Sequence, residues 1–480
     1  MSPALLAQSL QVWLPELILS IGGMGVLLLG VFARRPTAVV TMTWVVLAAS
    51  AAALAVVQHA PAGPWFFGMI VLDGWSQVFR WIALGTVALV VLMVPHSCDV
   101  EPSWRGEYLG LLLFVGVGLS LMAQAHHLLM AYLAIEMVSM SSYVLVALAR
   151  DTRGSEAALK YLLFGALCSG VMLFGMSLLF GLTGQMSFPG LRAAVWTLAS
   201  PAGGALAVSV ALILVGLAFK ISMVPFHMWT PDVYEGAPLP VTALLSVGPK
   251  AAGLALLWRL AQTLAPVWGA IAAPLVWLAI VTMTLGNVVA VVQHNVKRLL
   301  AYSTIGQVGY LLIGFVVQTE LGMQGLLVYL VAYLFMNLGA FACVTAVCED
   351  AKSESLEAFR GLAHRSPLLA FALAVFLLSL AGIPPLVGFI GKFLLFGSAI
   401  ASRWTILAVA GVVNSAIALY YYVNIIRYMY LLSPDRAQPL TPAWPIRVAV
   451  GVCGVATVAL GLFPGALLAW LGAVAAANLL

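Results

Sequence analysis

Apolar residues fill this chain in long runs separated by short polar breaks. Runs of about 20 residues are long enough to cross about 30 Å of hydrocarbon. The runs fall at 12–32, 38–58, 73–94, 107–125, 127–149, 158–182, 203–235, 240–262, 270–293, 297–317, 322–347, 368–402, 405–431 and 445–472, which makes about fourteen predicted spans. Two are too long for one straight helix. Run 203–235 carries Pro225 and Pro231, and run 368–402 carries Gly382, Pro384, Pro385 and Gly388. A proline inside a helix removes a hydrogen bond and clashes with the preceding turn. Broken spans survive in a membrane only where protein or internal water covers the freed backbone, and they are a common pointer to a transport site.

Composition agrees with this pattern. The chain has 480 residues, 63% hydrophobic and 8% charged, against about 25% charged in soluble domains. This predicts an all-α polytopic membrane protein. The net charge of +5 is then no sign of a nucleic-acid partner, because basic residues gather in the inner loops of membrane proteins. With the N-terminus placed outside and the spans alternating, fourteen cations from Arg34 to Arg447 fall inside, and only Arg192, Arg259 and Arg403 fall outside. The alternation supports the span count and places both termini on the outer side. The uncharged start before the first run lacks the basic segment of a signal peptide.

Four cations remain away from the loops: Arg80, Lys220, Lys250 and Lys392. Arg80 lies about two turns into its span, with Asp73 as its expected partner. Glu16, near the outer end of the first span, reads as interfacial. Lys220 precedes the Pro225 break and Lys392 follows the Pro384–Pro385 break. Lys250 lies about ten residues, or about 15 Å, into its span and so near mid-depth. Glu136, in LAIEMVSMSSYVL, has a similar depth. A charged side chain at a helix centre costs roughly 2.5–3.5 kcal/mol on the insertion scale. These groups should therefore face the interior and pair, with Glu136–Lys220 the expected pair. A lysine whose charge is opposed by burial and favoured by a carboxylate can load and release a proton. His227, just after the break, and His294, at an inner span end, could extend such a relay.

Other chemistries lack their residues. No GxGxxG, Walker loop or HExxH occurs, and no His/Cys cluster has metal-ligand spacing. The five cysteines (Cys98, Cys168, Cys343, Cys348, Cys453) form no CxxC pair and read as small buried residues. The adjacent His126 and His127 read as interfacial. Tyr420, Tyr421 and Tyr422 read as helix packing, with a quinone or lipid contact as the alternative.

Longer stretches resemble a known family. AFKISMVPFHMWTPDVYEGAPLPVTALLSVGPKAA, LAIEMVSMSSYVLVAL, ALKYLLFGAL, QHNVKRLLAYSTIGQVGY and LAGIPPLVGFIGKFLLF are similar to the antiporter-like membrane subunits of proton-pumping NADH:quinone oxidoreductase, respiratory complex I. TPDVYEGAP, in place of a typical LPDAHxEAP, and the lack of a long C-terminal lateral helix point to the subunit N family within that group. The resemblance covers nearly the whole chain. It implies two inverted five-helix repeats, at 107–262 and 270–431, each with one broken helix. An N-terminal three-helix segment at 1–106 and a C-terminal transmembrane helix at 432–480 would flank them. It also implies that Glu136 modulates Lys220, that Lys220 is the proton-loading lysine, that Lys250 is the central relay and that Lys392 leads to the outer exit. Lys160, His227, Asp232 and Glu107 would belong to an inner-side path.

The implied protein is a non-redox, proton-translocating subunit in a bacterial inner membrane. It holds no cofactor of its own, with FMN, iron–sulfur clusters and quinone in other subunits. Its partners are the other membrane-arm subunits, including sister antiporter-like chains, together with lipids and protons. Rival readings are a subunit of a multi-subunit Na⁺/H⁺ antiporter, a scaffold whose buried charges only fix helix register, and a single-chain secondary transporter.

Overall fold

A computed structural model describes residues 3–33, 35–97, 99–198, 203–434 and 438–478. Arg34, Cys98 and Arg436 lie outside the described residues. The chain begins with α1 (Pro3–Val12), α2 (Leu14–Ala33) and α3 (Pro36–Val57), then a hairpin of β1 (Gly63–Trp65) and β2 (Ile70–Leu72). Then come α4 (Gly74–Met93), α5 (Arg105–Gln124), α6 (Leu128–Ala147), α7 (Thr152–Thr183), α8 (Phe188–Leu198), α9 (Gly203–Ile221) and α10 (Trp229–Gly236). They are followed by α11 (Leu239–Thr263), α12 (Trp268–Val291), α13 (Val296–Val317), α14 (Glu320–Ala351) and α15 (Leu362–Arg365). The chain ends with α16 (Pro367–Ala381), α17 (Val387–Ala401), α18 (Thr405–Leu431), α19 (Trp444–Leu462) and α20 (Gly465–Ala477).

Thirteen described helices are long and apolar enough to cross a membrane. The short pair α16–α17 supplies the remaining expected crossing. The predicted run 445–472 is two helices, because Pro464 cannot continue α19 and begins a new turn before α20. The hairpin departs from a purely helical expectation. Phe66, Phe67 and Gly68 all take positive φ, which turns the chain back between β1 and β2.

Helix ends follow local chemistry. Asp151 accepts the Gly154 N–H at 2.6 Å to cap α7, and Asn295 accepts the N–H groups of Lys297 and Arg298 to cap α13. These side chains satisfy donors that helix N-termini leave open. Gly184 ends α7 in the left-handed region that glycine adopts without strain.

The chain divides into two compact units. The first comprises Met1–Ala88, Val100–Ser222 and Gly248–Ala273. Its helices pack closely through glycine: a Cβ on Gly30 or Gly106 would lie 2.6 or 2.5 Å from the other's Cα, so α2 and α5 touch backbone to backbone. The second comprises Leu89–Asp99, Met223–Val247 and Pro274–Leu480. Its core is α13 and α14, which are buried along nearly their whole lengths.

Two sequence expectations are corrected in the first unit. Arg80 does not pair with Asp73. It pairs with Glu16 through Nε–Oε1 at 2.8 Å and Nη2–Oε2 at 2.7 Å, and both side chains are 1% exposed. Gln124 Nε2 donates to the same carboxylate at 2.8 Å, so Glu16 is a buried anchor and not an interfacial residue. Asp73 instead holds Arg259 in a two-bond fork at 2.8 and 2.9 Å. The reason is geometric: Asp73 lies ahead of α4 and its Oδ1 caps Ser76, whereas Arg80 lies inside α4 among buried neighbours.

Candidate proton-relay site

Lys220, Lys250 and Lys392 are all buried, at 1%, 0% and 3% exposure. In the first unit, Lys220 sits in the last turn of α9. The helix stops at Ile221, and Ser222 takes φ +64°. Lys220 Nζ donates to Ser139 Oγ at 2.9 Å, while Ser139 sends its own proton to the Ile135 carbonyl at 2.8 Å. The hydroxyl is thereby oriented with a lone pair towards the lysine.

The expected Glu136–Lys220 ion pair is not closed. Glu136 lies three residues before Ser139 on α6, half-buried, with a buried Oε1 that has no hydrogen-bond partner. Its charge still reaches Lys220 electrostatically, and Lys220 in turn acts on Lys250. The hydrogen bond of Lys220 goes to the Ser139 hydroxyl instead of the carboxylate. Lys250 lies three residues before Gly253, where a Cβ would come within 2.6 Å of Ile221 Cγ2. That glycine lets α11 lie against the end of α9.

The second unit holds Lys392 in a cradle made by the break itself. Pro384 and Pro385 have no N–H, so the carbonyls four residues earlier, Leu380 and Ala381, lose their helical donors. Lys392 Nζ donates to both, at 3.0 and 3.1 Å, and to Ser415 Oγ at 3.2 Å. It also lies 4.2 Å from the centre of the Tyr310 ring, a favourable position for a cation. The C-terminal end of α16 adds its negative dipole. Gly382 takes φ +91°, and a Cβ there would lie 2.9 Å from Lys392 Cδ, so glycine is required on two counts.

Polar groups cluster beside this cradle and farther along α13 and α14. Gln307 Nε2 donates to the Leu380 carbonyl and to Tyr422 Oη, each at 3.2 Å, and Gln307 Oε1 accepts from Tyr329. Tyr422 and Ser303 hydroxyls meet at 2.5 Å. Tyr333 donates to Thr304 at 3.1 Å, and Asn337 donates to Ser246 at 2.6 Å, four residues before Lys250 on α11. Tyr421 donates to Asn287. The tyrosine triplet therefore divides: Tyr421 and Tyr422 are buried and hydrogen-bonded, and Tyr420 is exposed. Apart from Tyr421 and Tyr422, which the sequence reads as helix packing, none of these partners stands out from sequence. A signal was available, since Ser303, Gln307 and Tyr310 recur at helical spacing in one apolar run, as do Tyr329, Tyr333 and Asn337 in the next.

The remaining expected residues are spread out. His227 is buried between the first break and α10. Asp232 and Glu235 both accept from Arg298 Nη1 at 2.8 Å. Next to them, Lys297 Nζ donates to Glu354 and to the Ala237 carbonyl, each at 2.7 Å. These bonds pin α10 to the start of α13. His294 is exposed, and its carbonyl accepts from Leu356 N–H at 2.9 Å. Lys160 makes a surface pair with Glu156 at 2.8 Å. Glu107 lies in a separate pocket with Arg35 and Arg105.

Outside the spans, burial would raise the Asp73 carboxyl, but Arg259 and the Ser76 hydrogen bonds outweigh it and hold the group below the usual carboxylate range. His126 is pushed down by burial and then by Arg259, which favours the neutral ring. His127 caps α6 through its ring nitrogen, which accepts from Leu129 N–H at 3.2 Å. Among the described residues no group of three or more His, Cys, Asp or Glu could hold a metal ion, and Cys168, Cys343, Cys348 and Cys453 are free and buried.

Comparison with known proteins gives consistent matches. The family described as NADH:quinone oxidoreductase/Mrp antiporter, TM, matches residues 125–418. A Sorangium cellulosum protein named NADH-quinone oxidoreductase subunit N 2 is 47% identical over 424 residues, covering 83% of each chain. An Anaeromyxobacter subunit N is 41% identical, covering 95% of this chain and 92% of its own. A chain of respiratory complex I from Thermus thermophilus superposes with TM-score 0.81 at 35% identity, covering 95% of this chain and 98% of that one. A chain of the Mrp complex from Dietzia shares the fold, with TM-score 0.86 at 24% identity over 98% and 97% of the two chains.

Proposed function

The chain belongs to the NADH:quinone oxidoreductase/Mrp antiporter membrane family, and from that premise we propose how its buried groups move protons. It is a proton-pumping membrane subunit of NADH-quinone oxidoreductase, of the subunit N type. The likeness to the Mrp chain of known structure is one of fold alone at 24% identity, whereas the subunit N relatives reach 47%, so the antiporter reading is the weaker one.

In our reading the relay runs Lys220, Lys250, Lys392. Glu136 biases the first lysine without touching it, and a shift of the carboxylate relative to Ser139 changes how firmly Lys220 keeps its proton. A neutral Lys250 accepts that proton, since two neighbouring charged lysines repel. Lys392 takes it next and releases it outward, each amine gaining and losing one proton per passage. The observation that carries the reading is the Lys392 cradle: two carbonyls freed by prolines, a hydroxyl and an aromatic face, all suited to an ammonium.

The two five-helix repeats, 107–262 and 270–431, are supported by matching parts. Each has a 32-residue third helix, α7 or α14. Each has an isolated bridge beside it, His127–Ser187 or Asn295–Ser355. Each has a break that opens on a left-handed residue, Ser222 or Gly382, three residues before a proline. In our reading both termini face outward across a bacterial inner membrane. Flavin, iron–sulfur clusters and quinone belong to partner subunits, and their electron transfer shifts Glu136.

Lys220→Ala and Lys250→Ala test the relay in the assembled complex. Proton uptake into vesicles should fall relative to NADH oxidation. Normal assembly with unchanged pumping in both variants would leave only a scaffolding role.

A further inference from the structure

We propose that Arg35, Arg105 and Glu107 form a binding site for the zwitterionic headgroup of a phosphoethanolamine lipid. The site lies in the first unit, apart from the buried lysines. It is a pocket of about 470 Å³ lined by the ends of α2 and α3 and the start of α5, with Trp104 beside the two arginines and the glutamate. That volume is within the ~300–1,000 Å³ range of small-ligand sites.

Each wall has a structural cause. The backbone contact of Gly30 with Gly106 closes the floor. The Arg150 guanidinium lies 3.5 Å from the centre of the Trp104 ring, which holds the indole as a wall by cation–π attraction. Tryptophan suits the boundary between hydrocarbon and headgroups. Val31 lines the pocket, and beside it Phe32 and Leu28 of α2 are exposed, at 81% and 57%. An acyl chain leaving the pocket would lie on that apolar strip.

The charge pattern selects the headgroup. Guanidinium groups suit a phosphodiester through paired hydrogen bonds. A purely anionic group would meet Glu107 in the same pocket. Glu107 Oε2 is buried and has no hydrogen-bond partner, and a buried acceptor in that state calls for a donor. An ammonium two carbons from the phosphate supplies three N–H donors and the opposite charge. A trimethylated choline offers the charge without the N–H. A glycerol headgroup offers hydroxyls without the charge.

The test uses the purified, delipidated complex and follows its thermal midpoint, and the lipid retained in native mass spectra, as each lipid is added. The probes are phosphatidylethanolamine, its N-methyl and N,N-dimethyl derivatives, phosphatidylcholine and phosphatidylglycerol. Wild type should hold phosphatidylethanolamine roughly tenfold more tightly than phosphatidylcholine, as loss of a charged hydrogen bond implies, with affinity falling along the methyl series. Glu107→Gln should level that preference, and Arg105→Gln should weaken every phospholipid. Equal binding along the methyl series, or tighter phosphatidylglycerol binding, overturns the proposal. So does phosphatidylethanolamine selectivity that survives Glu107→Gln. The methyl series needs only wild type, so the proposal stays testable even if a variant fails to assemble.

Discussion

Replacing Lys392 with methionine separates its proposed role in the relay from any role in holding the fold. Methionine matches the stem of lysine and removes the ammonium. The Leu380 carbonyl keeps its bond from Gln307 at 3.2 Å. Ser415 is only part-buried beside the lysine and can turn its hydroxyl elsewhere. The Ala381 carbonyl, which accepts from Lys392 at 3.1 Å, cannot be reached by Pro385 and is left without that donor. An unsatisfied buried acceptor costs about 1–3 kcal/mol. Removing a buried lysine recovers roughly 2.5–3.5 kcal/mol on the insertion scale. The two nearly cancel, so Lys392→Met should assemble with a thermal midpoint close to wild type.

Pumping should behave differently. In the proposed relay, a chain with no titratable amine at 392 leaves the proton without a carrier at the second break. The complex, reconstituted in liposomes, is assayed for dye quenching by internal acidification, normalised to NADH oxidation. We expect the normalised signal to fall in Lys392→Met. Lys392→Arg should fall as well, because a guanidinium keeps its charge but does not release its proton. Arginine restores the cation that a scaffold would need, so recovery of pumping in Lys392→Arg would refute the relay. Unchanged pumping in Lys392→Met would refute it too.

Breaking the buried Glu16–Arg80 pair from one side, as in Glu16→Gln, should destabilise by about 3–5 kcal/mol, and Glu16→Leu with Arg80→Met should regain most of that; thermal unfolding of the complex reads both. Asp73 is held below the usual carboxylate range, so its pair with Arg259 stabilises fully at neutral pH and is lost as pH falls through the lowered value. Asp73→Asn should flatten that acid limb of stability, measured by thermal midpoint against pH. A Cβ at Gly388 would run into the Ser379 carbonyl, so Gly388→Ala should push α17 off α16 and lower assembly of the complex, seen on native gels. Ser139→Ala removes the one hydrogen bond that Lys220 makes among the described residues and should shift the pH profile of pumping while NADH oxidation by the complex continues.

The spans were legible because hydrocarbon allows few solutions: a long apolar run must be a helix, and a proline pair must break it. The buried lysines stood out for the same reason. Partner choice was not legible. Sequence distance favoured Asp73 for Arg80, whereas the actual partner, Glu16, lies on another helix, and only packing brings the two together. Glu136 was the expected partner of Lys220, but the bond from Lys220 goes to the Ser139 hydroxyl, a choice set by side-chain direction, which periodicity does not specify. The Tyr–Gln file around Lys392 was overlooked because neutral polar residues in apolar helices resemble ordinary packing until their hydroxyls are seen to meet.

Helix α13 begins at the Arg298 fork and carries, twelve residues later, the Tyr310 ring beside Lys392. At 1.5 Å per residue these points are about 18 Å apart on one straight element. The fork binds both acids of α10, the short helix after the first break. Helix α13 therefore works as a connecting rod. A tilt of α10 would load one end of it, and the aromatic face under Lys392 lies at the other. The fork, α13 and the seat of Lys392 all belong to the second unit, so the short helix after the first break and the cradle at the second share one straight element.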